Sequence, residues 1–191
     1  MNIGVLALQG AFREHREALD ALGVTAVEVR TPEHLAGVDA LFMPGGESTT
    51  VGRLLDTSEL RAPLTERLRG GMPAFGTCAG LILLACDVVD GRADQEPIGV
   101  VDVSVRRNAY GTQAQSFEAD LSVHGLDGGT FPGIFIRAPV VERVGASVEV
   151  MAELDGRAVL VRQAGIWGST FHPELSGDLR LHERFLHEVM R

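Results

Sequence analysis

The chain opens on an unbroken apolar run, Ile3 to Leu8, and then changes period. From Ala11 to Leu22 apolar positions recur at helical spacing until Gly23 interrupts them. The pattern then repeats. Strands are predicted at Val24–Val29, Asp39–Met43 and Met72–Phe75, and helices at Thr49–Leu55, Ser58–Arg69 and Cys78–Ala85. Strand and helix in alternation predict a parallel sheet covered by helices on both faces.

Beyond that the rhythm shifts to strands. Gly99–Val105, Gln115–Leu121, Gly133–Ile136, Val148–Leu154, Ala158–Val161 and Ile166–Phe171 are all strand-like, and a helix follows from about Asp178 to Met190. Asp155-Gly156 between two of these runs is a strong hairpin signal. The expectation is an α/β fold over residues 1–191. It is a single-domain, three-layer, mostly parallel sheet flanked by helices, flavodoxin-like, with antiparallel strand additions.

Composition narrows the function. Seventeen basic against twenty-six acidic residues give a net charge of −9, which argues against a nucleic-acid partner. No apolar run approaches the roughly 20 residues of a membrane helix, and the first residues lack the basic region of a signal peptide. Two cysteines, Cys78 and Cys86, are too few for a disulfide framework, so a cytoplasmic protein with reduced thiols is expected. No histidine or cysteine spacing resembles a zinc site, and no metal or organic cofactor is expected.

The sharpest local signal is Gly76-Thr77-Cys78-Ala79-Gly80, between a predicted strand and a predicted helix. This is the glycine-flanked nucleophile elbow with cysteine in the place of serine. Such a turn strains the nucleophile's backbone, puts the sulfur at a helix N-terminus and aims the next N–H, that of Ala79, at an oxyanion. The competing reading is a small apolar residue buried in a turn. Cys86, without flanking glycines, fits that reading and is expected to be inert.

Near the C-terminus, Phe171-His172-Pro173-Glu174 follows a predicted strand. If the extended conformation persists, His172 and Glu174 project to the same side. A carboxylate beside a histidine sets its tautomer and stabilises its cation, although such a pair also occurs on surfaces without chemistry. The other histidines (His15, His34, His124, His182 and His187) lack this setting and are expected to be exposed. A third feature, Pro44-Gly45-Gly46-Glu47-Ser48, lacks dinucleotide or Walker spacing and fits a second oxyanion donor with a substrate ledge.

Taken together, Pro44-Gly45-Gly46, the Cys78 elbow and Phe171-His172-Pro173-Glu174 resemble the class I, triad-type glutamine amidotransferases. More narrowly, the chain is similar to the glutaminase subunits of pyridoxal 5′-phosphate synthase. That likeness rests on Leu6–His15, Gly45–Thr50, Arg107–Gly111 with Ser116–Asp120, and Phe135–Pro139, which span nearly the whole chain. The resemblance implies Cys78 as nucleophile, His172 with Glu174 as relay, and an oxyanion hole from Gly46 and Ala79. It also implies glutamine contacts at Gly46, Glu47, Ser48, Arg107, Ile136 and Arg137. Two arginines suit either a carboxylate or a fixed ion pair, and Arg106 competes with Arg107 for the site, Arg107 being favoured because it precedes Asn108.

The implied activity is hydrolysis of L-glutamine to L-glutamate and ammonia for vitamin B6 biosynthesis, with a separate synthase subunit as partner in a hetero-oligomer. The alternatives are a glutaminase of another amidotransferase pathway, a cysteine peptidase of the same fold, or an interaction module with a dead site.

Overall fold

The computed structural model describes residues 1–91, 96–107 and 116–190. Asn108–Gly111 and Gln115 therefore lie outside the described residues. The first half runs β1 (Ile3–Leu6), α1 (Phe12–Ala21), β2 (Val27–Val29), α2 (Pro32–Ala36), β3 (Ala40–Met43), α3 (Ser48–Thr57), α4 (Arg61–Arg69), β4 (Ala74–Thr77) and α5 (Ala79–Leu84). Then come β5 (Ala85–Val88), β6 (Val101–Arg106), β7 (Ser116–Leu121), β8 (Phe131–Ile136), β9 (Val140–Val144), β10 (Glu149–Leu154), β11 (Arg157–Gln163) and β12 (Ile166–Ser169). A single 3-10 turn (Pro173–Leu175) precedes α6 (Arg180–Val189).

The main sheet has the order β10-β11-β12-β4-β3-β1-β2. Its five strands from β12 to β2 are parallel, and β11 and β10 extend it antiparallel. This is the expected α/β sheet with antiparallel additions. The Asp155-Gly156 turn joins β10 to β11, with φ of 52° and 73° at its two residues. Positive φ at both positions is what a tight hairpin of matching twist requires.

Period-two alternation sends side chains to opposite faces of the sheet. In β3, Leu41 and Met43 enter one core, while Ala40 and Phe42 enter the other. The first core is aliphatic, built with Val51 and Leu55 of α3, Leu64 and Leu68 of α4 and the apolar α5. The second is aromatic, with Phe42, Phe75, Trp167 and Phe185 packed against one another under α1 and α6. Two covered faces make the three layers.

Several strands do not join the main sheet. β5, β6 and β9 form one small sheet, and β7 pairs with β8 in another. The apolar run after Cys78 is split: the helix ends at Leu84, and Ala85 (φ −60°, ψ 151°) turns directly into β5, where Cys86 is exposed. Cys86 is thus a surface thiol on a strand, and not a buried apolar filler. The short α2 escapes hydrophobic periodicity, but it carries start signals in Thr31, whose side chain accepts from His34 N–H, and Pro32 in its first turn.

Candidate active site

The Cys78 turn sits where β4 passes into α5. Cys78 has φ 49° and ψ −99°, a conformation costly for any residue with a side chain and held here by its surroundings. Its N–H donates to Ser169 O at 2.8 Å. Gly80 lets the turn approach β3, since a Cβ there would run into the Met43 carbonyl. The expected strain of a nucleophile elbow is therefore present as backbone geometry.

β12 lies parallel to β4, with Ser169 opposite Thr77. The chain leaving β12 consequently passes beside the elbow. His172 N–H donates to Ile134 O of β8 at 2.8 Å, which pins the histidine there. The extended conformation does not persist to Glu174. The chain turns into the 3-10 segment, and this turn brings Glu174 back to His172, with Nδ1 to Oε1 at 2.8 Å. The pairing inferred from strand alternation exists, but it is made by a turn.

Burial pulls the His172 pKa down, yet a hydrogen bond with the Cys78 sulfur and the hydrogen bond and charge of Glu174 outweigh it and raise it to about 10. Burial likewise pushes Glu174 up, and is overcome by the neighbouring His15 and His172, which leave it below the usual carboxylate range. The result is a proton held on His172 between a sulfur and a carboxylate.

Cys78 and His172 open onto a cleft of roughly 350 Å³. Gly46, Glu47, Ser48, Arg107, Ile136 and Arg137 all line it, as does Gly45. A Cβ at Gly45 would collide with the His172 ring, so only glycine allows the turn this close to His172. Ala79, buried, follows Cys78 in the turn. Arg107, and not Arg106, borders the cleft; Arg106 pairs with Glu142 elsewhere. Arg107 donates to Glu47 Oε1 at 3.0 Å and to Thr49 at 3.1 Å. Glu47 also caps α3, accepting from Thr50 N–H at 2.7 Å. Arg107 thus forms an ion pair at the rim, while Arg137 stands exposed with φ 44°.

The sequence reading missed several residues. Gln9 Oε1 accepts from Glu47 N–H at 2.9 Å, and Ala11 N–H donates to Gly45 O at 2.9 Å, so the Gly45-Gly46 turn is tied to the segment before α1. His15 and His182, expected to be exposed, are completely buried, whereas His34, His124 and His187 are exposed. His15 Nδ1 lies 3.0 Å from His182 Nε2, and His15 Nε2 lies 3.2 Å from Thr77 Oγ1 and 3.5 Å from Glu174 Oε2. The available signal was phase: His15 shares the buried stripe of Ala18 and Leu19, and His182 that of Phe185 and Leu186.

A larger groove of about 780 Å³ involves β9, β10 and β11, with Arg106, Glu142 and Arg157 at its margin and no histidine or cysteine in its lining. Among the described residues no cluster of histidine, cysteine or carboxylate could hold a metal, and no helix is long and apolar enough to cross a membrane.

The chain is 54% identical over 188 residues to pyridoxal 5′-phosphate synthase subunit PdxT of Salinispora arenicola, covering 96% of this chain and 94% of that protein. It is 54% identical over 189 residues to the PdxT of a Parafrankia species, covering 99% and 93%. A glutamine amidotransferase of known crystal structure matches with a TM-score of 0.93 at 51% identity, covering 100% of both chains. The structure of PurLQS from Thermotoga maritima, at 15% identity and a TM-score of 0.69 over 98% of each chain, shares the fold alone. The family match itself extends over residues 5–191, and the chain belongs to the SNO glutamine amidotransferase family.

Proposed function

We propose that residues 1–191 form one glutaminase domain that hydrolyses L-glutamine on Cys78 and passes the ammonia to a separate pyridoxal 5′-phosphate synthase subunit. The observation that carries this reading is His172, hydrogen-bonded to Glu174 at 2.8 Å and opening onto the same cleft as the Cys78 sulfur, which helps to raise its pKa. The sulfur attacks the side-chain amide carbon of glutamine, and the N–H groups of Ala79 and Gly46 receive the oxyanion. His172 gives its proton to the departing nitrogen, so ammonia leaves and a thioester remains. His172 then takes a proton from water, whose oxygen attacks the thioester carbon, and returns it to the sulfur as glutamate departs. Gly46, Glu47, Ser48, Arg107, Ile136 and Arg137 line the glutamine site in this scheme.

A partner is expected from the PdxT relatives, which are synthase subunits. Docking of that partner acts on the Gly45-Gly46 turn. Rotating its peptide breaks the Ala11–Gly45 hydrogen bond, a net cost of about 1 kcal/mol that a bound subunit readily offsets. Activation then appears in kcat more than in KM, because an oxyanion donor acts on the transition state. The test is glutamate release with and without the synthase subunit, together with labelling by a reactive glutamine analogue. Cys78 should take the label where a peptide mimic does not, and kcat should rise with partner. Labelling by the peptide mimic alone would favour a peptidase, and equal kcat in both conditions would remove the switch.

A further inference from the structure

Glu174 presents two oxygens, and His172 occupies only one. Oε2 is buried with no hydrogen-bond partner among the described residues, and His15 Nε2 faces it at 3.5 Å. A buried carboxylate oxygen left to itself is costly and lets the group rotate. Behind His15 stands His182, which is stacked on Phe42 with ring centroids 5.3 Å apart and an interplanar angle of 13°. The two imidazoles come from α1 and α6, which the fold brings together over the aromatic core.

The protons on this pair follow from a count of donors. Each neutral imidazole has one N–H and one bare nitrogen. If His15 carried its proton on Nδ1 and gave it to His182, its bare Nε2 would face the Glu174 carboxylate. His182 Nδ1–H would then be a buried donor with no partner among the described residues. In the opposite arrangement His182 Nε2–H donates to His15 Nδ1, and His15 Nε2–H faces Glu174 Oε2 and Thr77 Oγ1. The unpartnered His182 Nδ1 then becomes a bare nitrogen. An unsatisfied donor and a lone-pair repulsion both disappear, so the second arrangement prevails.

The geometry points to His15, backed by His182, as a positioning residue that holds Glu174 with a neutral N–H so that the carboxylate stays aimed at His172. The inference rests on the Cys78–His172–Glu174 reading above. The charged and titratable groups around the pair are Glu174 and His172 from the turn, Glu14 from α1, and the two histidines themselves. Burial lowers His15, with the His172 charge adding to it and Glu174 and Glu14 pulling the other way, and burial with His15 lowers His182 to about 3. Thr77, immediately before the nucleophile, shares the His15 N–H and ties the device to the elbow.

The test uses the full chain with its synthase partner. His15→Leu removes the donor at similar volume, and His15→Gln keeps an amide N–H near the place of Nε2. In His15→Leu, kcat should fall about 10- to 100-fold, the size usual when the partner of a functional side chain is lost, with KM within about twofold. The acid limb of the kcat profile should move up by about one pH unit, since Glu174 loses a group that favours its anion. His15→Gln should regain part of both. In the unaltered protein, nitrogen NMR of the imidazoles should find His15 and His182 both protonated on Nε2 only, a measurement that stands even if a variant fails to fold. Protonation of His15 on Nδ1, or an unmoved acid limb in His15→Leu, would overturn the inference alone. Unchanged turnover in Glu174→Gln would remove the relay itself and this inference with it.

Discussion

Glu174 has histidines in front and behind, and the two sides are almost equally dry: His172 is 7% exposed, His15 and His182 0%. Their protonation nevertheless diverges, His172 rising to about 10 and His182 falling to about 3. Burial opposes the cation in both places. On the front side, the Cys78 sulfur and the hydrogen-bonded Glu174 carboxylate reverse it. On the back side, the hydrogen-bond partner of His182 among the described residues is another imidazole, and His15 Nε2 lies 3.5 Å from the carboxylate and 3.2 Å from Thr77 Oγ1. Depth does not decide the charge of a buried histidine; the anion it touches does.

The largest effect should come from removing the front-side sulfur. Cys78→Ala is expected to reduce glutamate release by about 10⁴-fold or more while the protein stays folded, and His172 should titrate lower because one of its raising partners is gone. Cys86→Ala, on the exposed face of β5, should keep full activity. Substantial glutaminase activity in the Cys78 variant would dissolve the front side as a catalytic unit.

A smaller loss is expected where the two sides meet. Glu174→Gln should lower turnover on the order of 10²- to 10⁴-fold, with glutamine affinity nearly intact, because the orienter goes and the ledge remains. Stopped-turnover binding measurements alongside steady-state kinetics separate the two. Turnover equal to the unaltered chain would make Glu174 a carboxylate that only fills space.

The smallest effect concerns stability on the back side. The folded-state pKa of His182 lies below its unfolded value, so between about 6.5 and about 3 the unfolded chain binds the extra proton and stability falls as pH falls. Glu174, also depressed, adds loss in the same direction at the acid end. His172, raised, does the reverse: its contribution is complete below pH 6.5 and is lost as pH climbs towards about 10. His182→Phe keeps an aromatic ring against Phe42 and removes the titration. Its Tm should decline a few degrees less than that of the unaltered chain between pH 6.5 and 4. Parallel declines would show that the back side is not proton-linked.

Much of the front side was legible in the chain because its signals are local. Glycines around Cys78 and the His172-Pro173-Glu174 triplet each lie within a few residues, and the apolar runs of β1, β3 and β4 predict adjacent buried strands. The reason for the His172–Glu174 contact was misread, since alternation along a strand cannot foresee a 3-10 turn. The back side was read as surface because a histidine counts as polar; only its place in the stripes of α1 and α6 marks it as buried. The small sheet of β5, β6 and β9 depends on pairings such as Val103 with Val144, which no local pattern encodes.

The register that sets Ser169 beside Thr77 joins strands far apart in the chain, whereas β3 and β1 meet through near neighbours. Contacts of long sequence separation pay their loop-closure entropy late. The Cys78 turn, itself bonded to Ser169, and His172 therefore come together only when β12 closes against β4. Any transient opening of that one seam would part His172 from the Cys78 sulfur. Hydrolytic competence is in this sense a gauge of a single strand-to-strand joint.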